Sequence, residues 1–114
     1  MTIFDATIVE EAFGDDRAAL ASFLESVRTS LHTHCARVRT AVENGDVEAI
    51  RQTAHALRGS SGHVGGARVA KIAEGIEAQA REGKVAERDE LTGLDAAFAE
   101  LDTALEGYMA RLRP

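Results

Sequence analysis

Apolar residues recur in steps of three and four along nearly the whole chain, and this spacing is the strongest constraint on its fold. The last segment shows it without a gap, at Leu91, Leu94, Phe98, Leu101, Leu105, Tyr108 and Leu112. Such spacing puts apolar side chains on one face of a helix, and that face needs a partner helix. The only proline is Pro114, at the very end, so no proline interrupts the pattern. The sequence therefore predicts an all-α fold.

Capping and turn residues divide this pattern into one short and four long helices. The helix boundaries are marked by aspartates, which suit N-caps, and by glycines, which suit helix ends: Asp5, Gly14, Asp15 or Asp16, Gly45, Asp46 and Gly83. The connections are short, and short connections make successive helices antiparallel. We therefore predict a single domain over residues 1–114, an antiparallel up-down-up-down four-helix bundle with a short additional N-terminal helix that covers one end.

Composition excludes several classes of partner. The net charge is −6 with no basic block, which argues against nucleic acid and anionic membranes. No apolar run approaches the roughly 18 residues of a membrane helix, and the start resembles no signal peptide. Cys35 is the only cysteine, so no internal disulfide forms, as is usual in a reducing compartment. We expect a cytoplasmic protein and, from its start at Met1, a free-standing one.

The stretch AHALRGSSGHVGG, residues 54–66, places glycines where the pattern predicts helix, although each costs a helix about 1 kcal/mol relative to alanine. The apolar stripe of this third helix is Val47, Ile50, Ala54, Leu57, Ser61 and Val64. At about 100° per residue, His55 lies about 130° from the centre of the stripe and faces solvent. Gly59 and Gly62 follow on the same side, and they leave the imidazole open to an approaching protein.

Two other interpretations of the glycines are possible. They could allow close packing against a neighbouring helix, or residues 58–66 could form a loop. Within the stripe, Ser61 is predicted to be structural, because a helical serine often bonds to the backbone one turn earlier.

The segment AHALRGSSGHVGGARVAKIAEGIE, residues 54–77, resembles the signature of histidine-containing phosphotransfer (HPt) domains. The matching residues are His55, Arg58, Gly59, Ser60, Ser61, Val64, Gly65, Ile76 and Glu77. The upstream segment resembles the family as well, so the likeness extends over nearly the whole chain. Two positions depart from the family pattern: Arg58 stands where lysine is commoner, and Gly66 where alanine is commoner, which would loosen the start of the next helix.

The resemblance implies a phosphorelay intermediate. His55 would accept a phosphoryl group from a phospho-aspartyl receiver domain and pass it to another receiver. Arg58, Gly59 and Gln52 would lie next to the phosphoryl group, with Arg58 as the neutralising cation and Arg51 as the second candidate. The docking surface would comprise Glu48, Arg51, Gly62 and His63. Partners would be receiver domains of response regulators or hybrid histidine kinases, and we expect a monomer.

The same resemblance implies that this chain binds no cofactor, and that Mg²⁺ is held by the partner receiver. The sequence has no Gly-rich nucleotide loop or Walker-type lysine motif, so we predict a phosphocarrier and not a kinase. The alternative is a helical adaptor, or a degenerate HPt protein, that binds a signalling partner without being phosphorylated. An adaptor has no need for His55 together with Gly59.

Two metal-binding alternatives are weaker. The sequence HTHC, residues 32–35, places its histidines and Cys35 next to one another on a helix, where neighbouring side chains point in different directions. A di-metal carboxylate bundle needs inward-facing Glu-x-x-His pairs, and the sequence contains none. We therefore predict no metal site.

Overall fold

The computed structural model describes residues 2–113, and Met1 and Pro114, the ends of the predicted domain, lie outside this range. Its elements are five helices: α1 (Ala6–Phe13), α2 (Arg17–Glu43), α3 (Val47–His63), α4 (Ala67–Arg81) and α5 (Arg88–Leu112). Residues 2–113 contain no strand, so the all-α prediction is confirmed. No helix in this part of the chain is long and apolar enough to cross a membrane.

Aspartate side chains begin the first three helices, as predicted. Asp5, Asp16 and Asp46 each accept a hydrogen bond from a backbone N–H in the first turn, which would otherwise lack a partner. The cap of α2 is therefore Asp16 and not Asp15. Helix α5 begins differently, with a capping box in which Glu87 and Glu90 bond reciprocally to each other's backbone N–H.

The four long helices pack in a closed ring, α2 against α3, α3 against α4, α4 against α5, and α5 against α2. Ion pairs between α2 and α5 give their relative direction. Arg28 pairs with Asp102, and Arg39, later in α2, pairs with Asp95, earlier in α5. The two helices are therefore antiparallel, in agreement with the up-down bundle that the short connections predict.

The core follows the predicted stripes closely in α3, where Ile50, Ala54 and Leu57 are fully buried. In α5 the observed burial departs from the stripe at Phe98 and Leu112, which are only partly buried. Ala97 and Met109, outside the stripe, are buried instead. A strict three-four alternation repeats every 3.5 residues, whereas a straight helix turns every 3.6 residues, so the buried line drifts around α5 by about 20° per heptad.

The N-terminal segment closes one end of the bundle. Tyr108 of α5 donates a hydrogen bond from its hydroxyl to Glu10 of α1, at 2.9 Å, and its ring packs edge-on against Phe4. The backbone N–H of Asp5 donates to the carbonyl of Gly65, at 2.9 Å. Helix α1 therefore covers the end of the bundle that contains the α3–α4 turn, as the prediction of a covering helix requires.

Gly65 and Gly66 form this turn, and the backbone there leaves no room for side chains. Gly65 has φ +74°, and a Cβ atom on it would lie 2.3 Å from the carbonyl oxygen of Asp5. A Cβ atom on Gly66 would lie 2.7 Å from a methyl carbon of Leu101. Gly66 is thus buried in a tight contact that alanine would not fit, and the expected loosening of the start of α4 stays a prediction.

The turn yields a stability prediction with a matched control. Gly45 also has a positive φ, +65°, but has open space around it. Gly45→Ala should therefore lower the free energy of unfolding by about 1 kcal/mol, the cost of a left-handed alanine. Gly65→Ala should cost about 1–3 kcal/mol more, because its clash is with backbone that cannot rotate away. Urea denaturation measures both, and equal losses would contradict the packing of Asp5 against Gly65.

Candidate functional site

His55 projects from the middle of α3 on the side opposite the buried stripe. Its side chain is 58% exposed, while Ala54 and Leu57 on the same helix are fully buried. The predicted outward direction of His55 is therefore confirmed. The cause is the rotation of the helix, which carries one residue into the core and the next to the surface.

A carboxylate from the neighbouring helix meets the imidazole. Glu77 of α4 places its Oε2 atom 2.9 Å from His55 Nδ1. The Glu77 side chain is only 1% exposed, although it carries a charge. A buried carboxylate is costly unless cations or hydrogen-bond donors surround it. The contact with His55 is therefore one part of a larger cluster.

Two arginines complete this cluster. Arg81, one turn after Glu77 on α4, donates to Oε2 at 2.7 Å. Arg58 of α3 approaches the other oxygen, Oε1, at 3.3 Å. That contact is an ion pair without hydrogen-bond geometry, and Oε1 has no hydrogen-bond partner among the described residues. The two guanidinium groups thus offset the buried charge through different oxygens of the carboxylate.

These contacts determine which imidazole nitrogen carries the proton. A carboxylate can only accept, so Nδ1 of His55 donates its N–H to Glu77. Arg58 Nη2 also lies 3.2 Å from Nδ1, but a guanidinium has only donors and cannot bond to a protonated nitrogen. The remaining lone pair belongs to Nε2, on the outer side of the ring. The neutral imidazole thus presents a nucleophilic nitrogen to solvent.

Gly59 and Gly62 lie on the same exposed face, within the regular part of α3. A Cβ atom at either position would meet nothing within 4 Å. The loop interpretation was therefore wrong, because the segment is helical through His63. The close-packing interpretation was also wrong, because neither glycine packs against a neighbouring helix. The surface beside His55 is therefore open at the positions one turn and two turns further along α3.

The predicted residues on the N-terminal side of His55 form a separate group. Glu48 accepts hydrogen bonds from Arg51 Nε and from Gln52 Nε2, both at 3.1 Å. The hydrogen bonds and charge of this pair raise the pKa of Arg51 and, with Gln52, lower the pKa of Glu48. Of the predicted arginines, the structure brings Arg58 to the His55–Glu77 contact and leaves Arg51 paired with Glu48. His63 is exposed in the last turn of α3.

Sequence reasoning did not select Glu77 or Arg81 as site residues. A usable signal was present, because Glu77 falls four residues after Ala73 and eight after Val69, both on the buried stripe of α4. A carboxylate on such a stripe must be paired with cations or donors. Arg81, four residues further on, is the nearest cation on the same face. By contrast, the structural prediction for Ser61 is confirmed: its buried hydroxyl donates to the Leu57 carbonyl at 2.6 Å.

The HTHC segment has a different environment. His32 places Nε2, its outer nitrogen, 3.1 Å from Asp102, and its ring packs edge-on against Phe98. Burial and the nearby Arg37 lower the pKa of His34. Burial, with the charge of Asp95, raises the pKa of the Cys35 thiol to about 12. Within residues 2–113, no group of three or more histidine, cysteine or acidic side chains is arranged to hold a metal ion.

Comparison with known proteins shows the family of this chain. The family model described as "Hpt domain" matches residues 20–113, so the chain belongs to the histidine-containing phosphotransfer family. Proteins of this family are phosphocarriers of phosphorelays and have no kinase activity of their own. Histidine phosphotransfer is therefore the general role of this chain. No curated protein sequence matches it significantly.

Two solved structures share the fold. Histidine-containing phosphotransfer protein B from Pseudomonas aeruginosa PAO1 superposes with a TM-score of 0.86 at 21% identity, over 97% of each chain. The HPT domain of a sensor hybrid histidine kinase from Shewanella superposes with a TM-score of 0.81 at 17% identity, over 98% of this chain and 97% of that one. At these identities the likeness establishes the helical bundle.

The open surface at Gly59 yields a second prediction. Because the position is helical and unobstructed, Gly59→Ala should raise the free energy of unfolding by about 0.5–1 kcal/mol. Gly75→Ala, at an equally open helical position of α4, provides the reference value. Urea denaturation measures both changes. A loss of stability at Gly59 alone would mean that the glycine has a packing role there.

Proposed function

We propose that His55 is the phosphorylated residue, and that it accepts its phosphoryl group from the aspartyl phosphate of a receiver domain. The observation that carries this proposal is the contact between His55 Nδ1 and Glu77 Oε2, which leaves Nε2 as an exposed nucleophile. His32 lacks this arrangement, since its outer nitrogen is engaged by Asp102. Of the two exposed histidines with carboxylate partners, only His55 offers Nε2 to a docking protein.

The transfer needs no proton donor or acceptor from this chain. The Nε2 lone pair attacks phosphorus in line, the P–O bond to the receiver aspartate breaks, and its electron pair returns to that carboxylate. The Nδ1 proton stays on the ring throughout, so the ring becomes positively charged as the N–P bond forms. Glu77 stabilises that charge through its hydrogen bond. In the reverse direction the leaving group is neutral imidazole, which departs far more easily than an imidazolate anion.

The remaining requirements of phosphoryl transfer are position and charge neutralisation. Arg58 supplies a positive charge next to the imidazole, and Gly59 and Gly62 let a receiver approach without a steric barrier. Gln52 and the pair formed by Glu48 and Arg51 extend the same helix face on the other side of His55. We propose that this face, with His63 at its far rim, is the docking surface.

We propose receiver domains of response regulators or hybrid histidine kinases as donor and acceptor, with Mg²⁺ held in the acidic pocket of the receiver. This chain contributes the histidine, its carboxylate partner and the flanking cations. Cytoplasmic location and a monomeric state stay predictions from the sequence.

Labelling tests the proposal directly. The protein is mixed with an aspartate-phosphorylated receiver and Mg²⁺, alongside His55→Gln and, as a matched control, His32→Gln. Wild type and the His32 variant should acquire acid-labile, alkali-stable phosphate, and the His55 variant should acquire none. Label on the His55 variant would place the site elsewhere. A folded wild type that binds receivers but takes no label would instead be the helical adaptor or degenerate HPt protein.

Glu77→Gln provides a further prediction about the reacting histidine. A neutral amide accepts the Nδ1 proton less strongly than a carboxylate, and the difference of about 1–2 kcal/mol corresponds to roughly tenfold in rate. We expect the single-turnover rate at saturating phosphoreceiver to fall about tenfold, with the half-saturating receiver concentration unchanged. A change in half-saturation alone would assign Glu77 to docking. Asp102→Asn, which alters the partner of His32, is the control.

A further inference from the structure

Arg51 and Arg58 occupy equivalent positions around α3, because seven residues are nearly two full turns of a helix. Each side chain leans toward the start of α3 and meets the residue three positions earlier. For Arg58 that residue is His55, whose Nδ1 atom lies 3.2 Å from Nη2. For Arg51 it is Glu48, whose Oε2 atom accepts a hydrogen bond from Nε at 3.1 Å. The two arginines therefore have separate surroundings.

The contact between Arg51 and Glu48 is bidentate. Nε and Nη2 of the guanidinium donate to different oxygens of the carboxylate, which fixes the plane of the guanidinium. Gln52 adds a third hydrogen bond, because its Nε2 atom donates to Oε1 of Glu48 at 3.1 Å. These three residues, which we call the Glu48 patch, carry one positive and one negative charge. The patch is therefore neutral and ordered before any partner arrives.

The Glu48 patch keeps unused hydrogen-bonding groups at the surface, where the side chains of Arg51 and Glu48 are 37% and 62% exposed. A guanidinium has five N–H groups, and the contact with Glu48 uses two of them. The amide oxygen of Gln52 accepts no hydrogen bond from the residues that the structure describes. A carboxylate brought to Arg51 would meet the negative charge of Glu48 on the same guanidinium. Peptide groups, which pair a neutral acceptor with a neutral donor, match this surface better.

We propose that the Glu48 patch binds exposed peptide groups of a docking receiver, and that Arg51 takes no part in neutralising the phosphoryl group. The inference rests on the proposed function of His55. Arg51 begins one helical turn before His55, and its guanidinium leans further away, toward Glu48. To meet a phosphoryl group on His55, it would have to reverse this lean and break the bidentate contact. Docking on peptide groups leaves that contact intact.

The patch and a simple charge contact make opposite predictions for Glu48. If charge alone attracted receivers to Arg51, Glu48→Gln would strengthen docking, because it removes the negative charge that offsets the arginine. In the patch, Glu48 positions the guanidinium, so the same substitution loosens Arg51 and weakens docking. Arg51→Lys separates the two cases as well, since an ammonium keeps the charge but lacks the planar fork of donors.

The experiment measures single-turnover transfer from the phosphoreceiver that labels the wild type fastest, over a range of receiver concentrations. We expect Arg51→Gln and Glu48→Gln to raise the half-saturating receiver concentration about three- to tenfold, with the maximal rate unchanged. Arg51→Lys should behave like Arg51→Gln. The matched control is Arg39→Gln, which should match wild type, because Arg39 is an exposed arginine paired with a carboxylate, Asp95, on the α2–α5 side.

Three results would overturn the inference while leaving the proposed function intact. In the first, Glu48→Gln lowers the half-saturating concentration or Arg51→Lys matches wild type, as a charge contact requires. In the second, Arg51→Gln lowers the maximal rate alone, which would assign Arg51 to the phosphoryl group. In the third, Arg51→Gln matches wild type, or Arg39→Gln has an equal effect. Failure of the proposed function is distinct, because wild type would then take no label, or His55→Gln would still take it.

Discussion

The buried carboxylate of Glu77 is the interaction on which the site depends. It is almost fully withdrawn from water, and its charge is tolerated because His55, Arg58 and Arg81 surround it. Two of these residues lie on α3 and one on α4, so the cluster also joins the two helices on their exposed side. Removing one partner of such a group leaves a buried charge uncompensated, which is why its surroundings are tightly constrained. The orientation of the histidine follows from this electrostatic requirement.

Helix α3 illustrates how one segment can serve packing and reactivity at once. Its inner side contributes fully buried residues, including Leu57 and Ser61, and the hydroxyl of Ser61 is satisfied by the helix itself. Its outer side carries His55 and two glycines with empty space around them. Glycine is a poor helix former, so the stability of this turn comes from the buried side and not from local propensity.

Much of this arrangement could be predicted from the sequence because it depends on periodicity within single helices. The outward direction of His55 and the burial of Ser61 follow from the rotation of one helix. The His55–Glu77 contact does not, because it depends on how α4 is shifted and rotated against α3. Neither quantity is encoded in the spacing of apolar residues along one segment. The steric constraint on Gly66 could not be predicted for the same reason, since it comes from Leu101 on a distant helix.

If His55 carries the phosphoryl group, as proposed, the open face beside it affects how long that group survives between its donor and its acceptor. An enclosed active site excludes water from a reactive intermediate, but the His55 side chain is 58% exposed, and Gly59 and Gly62 place no side chain beside it. A phosphoryl group stored there would be in contact with bulk solvent whenever no partner is docked. The lifetime of the phosphoryl group would then be set by spontaneous hydrolysis, because no pocket shields it. When acceptors are scarce, the phosphorylated protein would lose its phosphoryl group to water with a time constant set by the chemistry of the N–P bond.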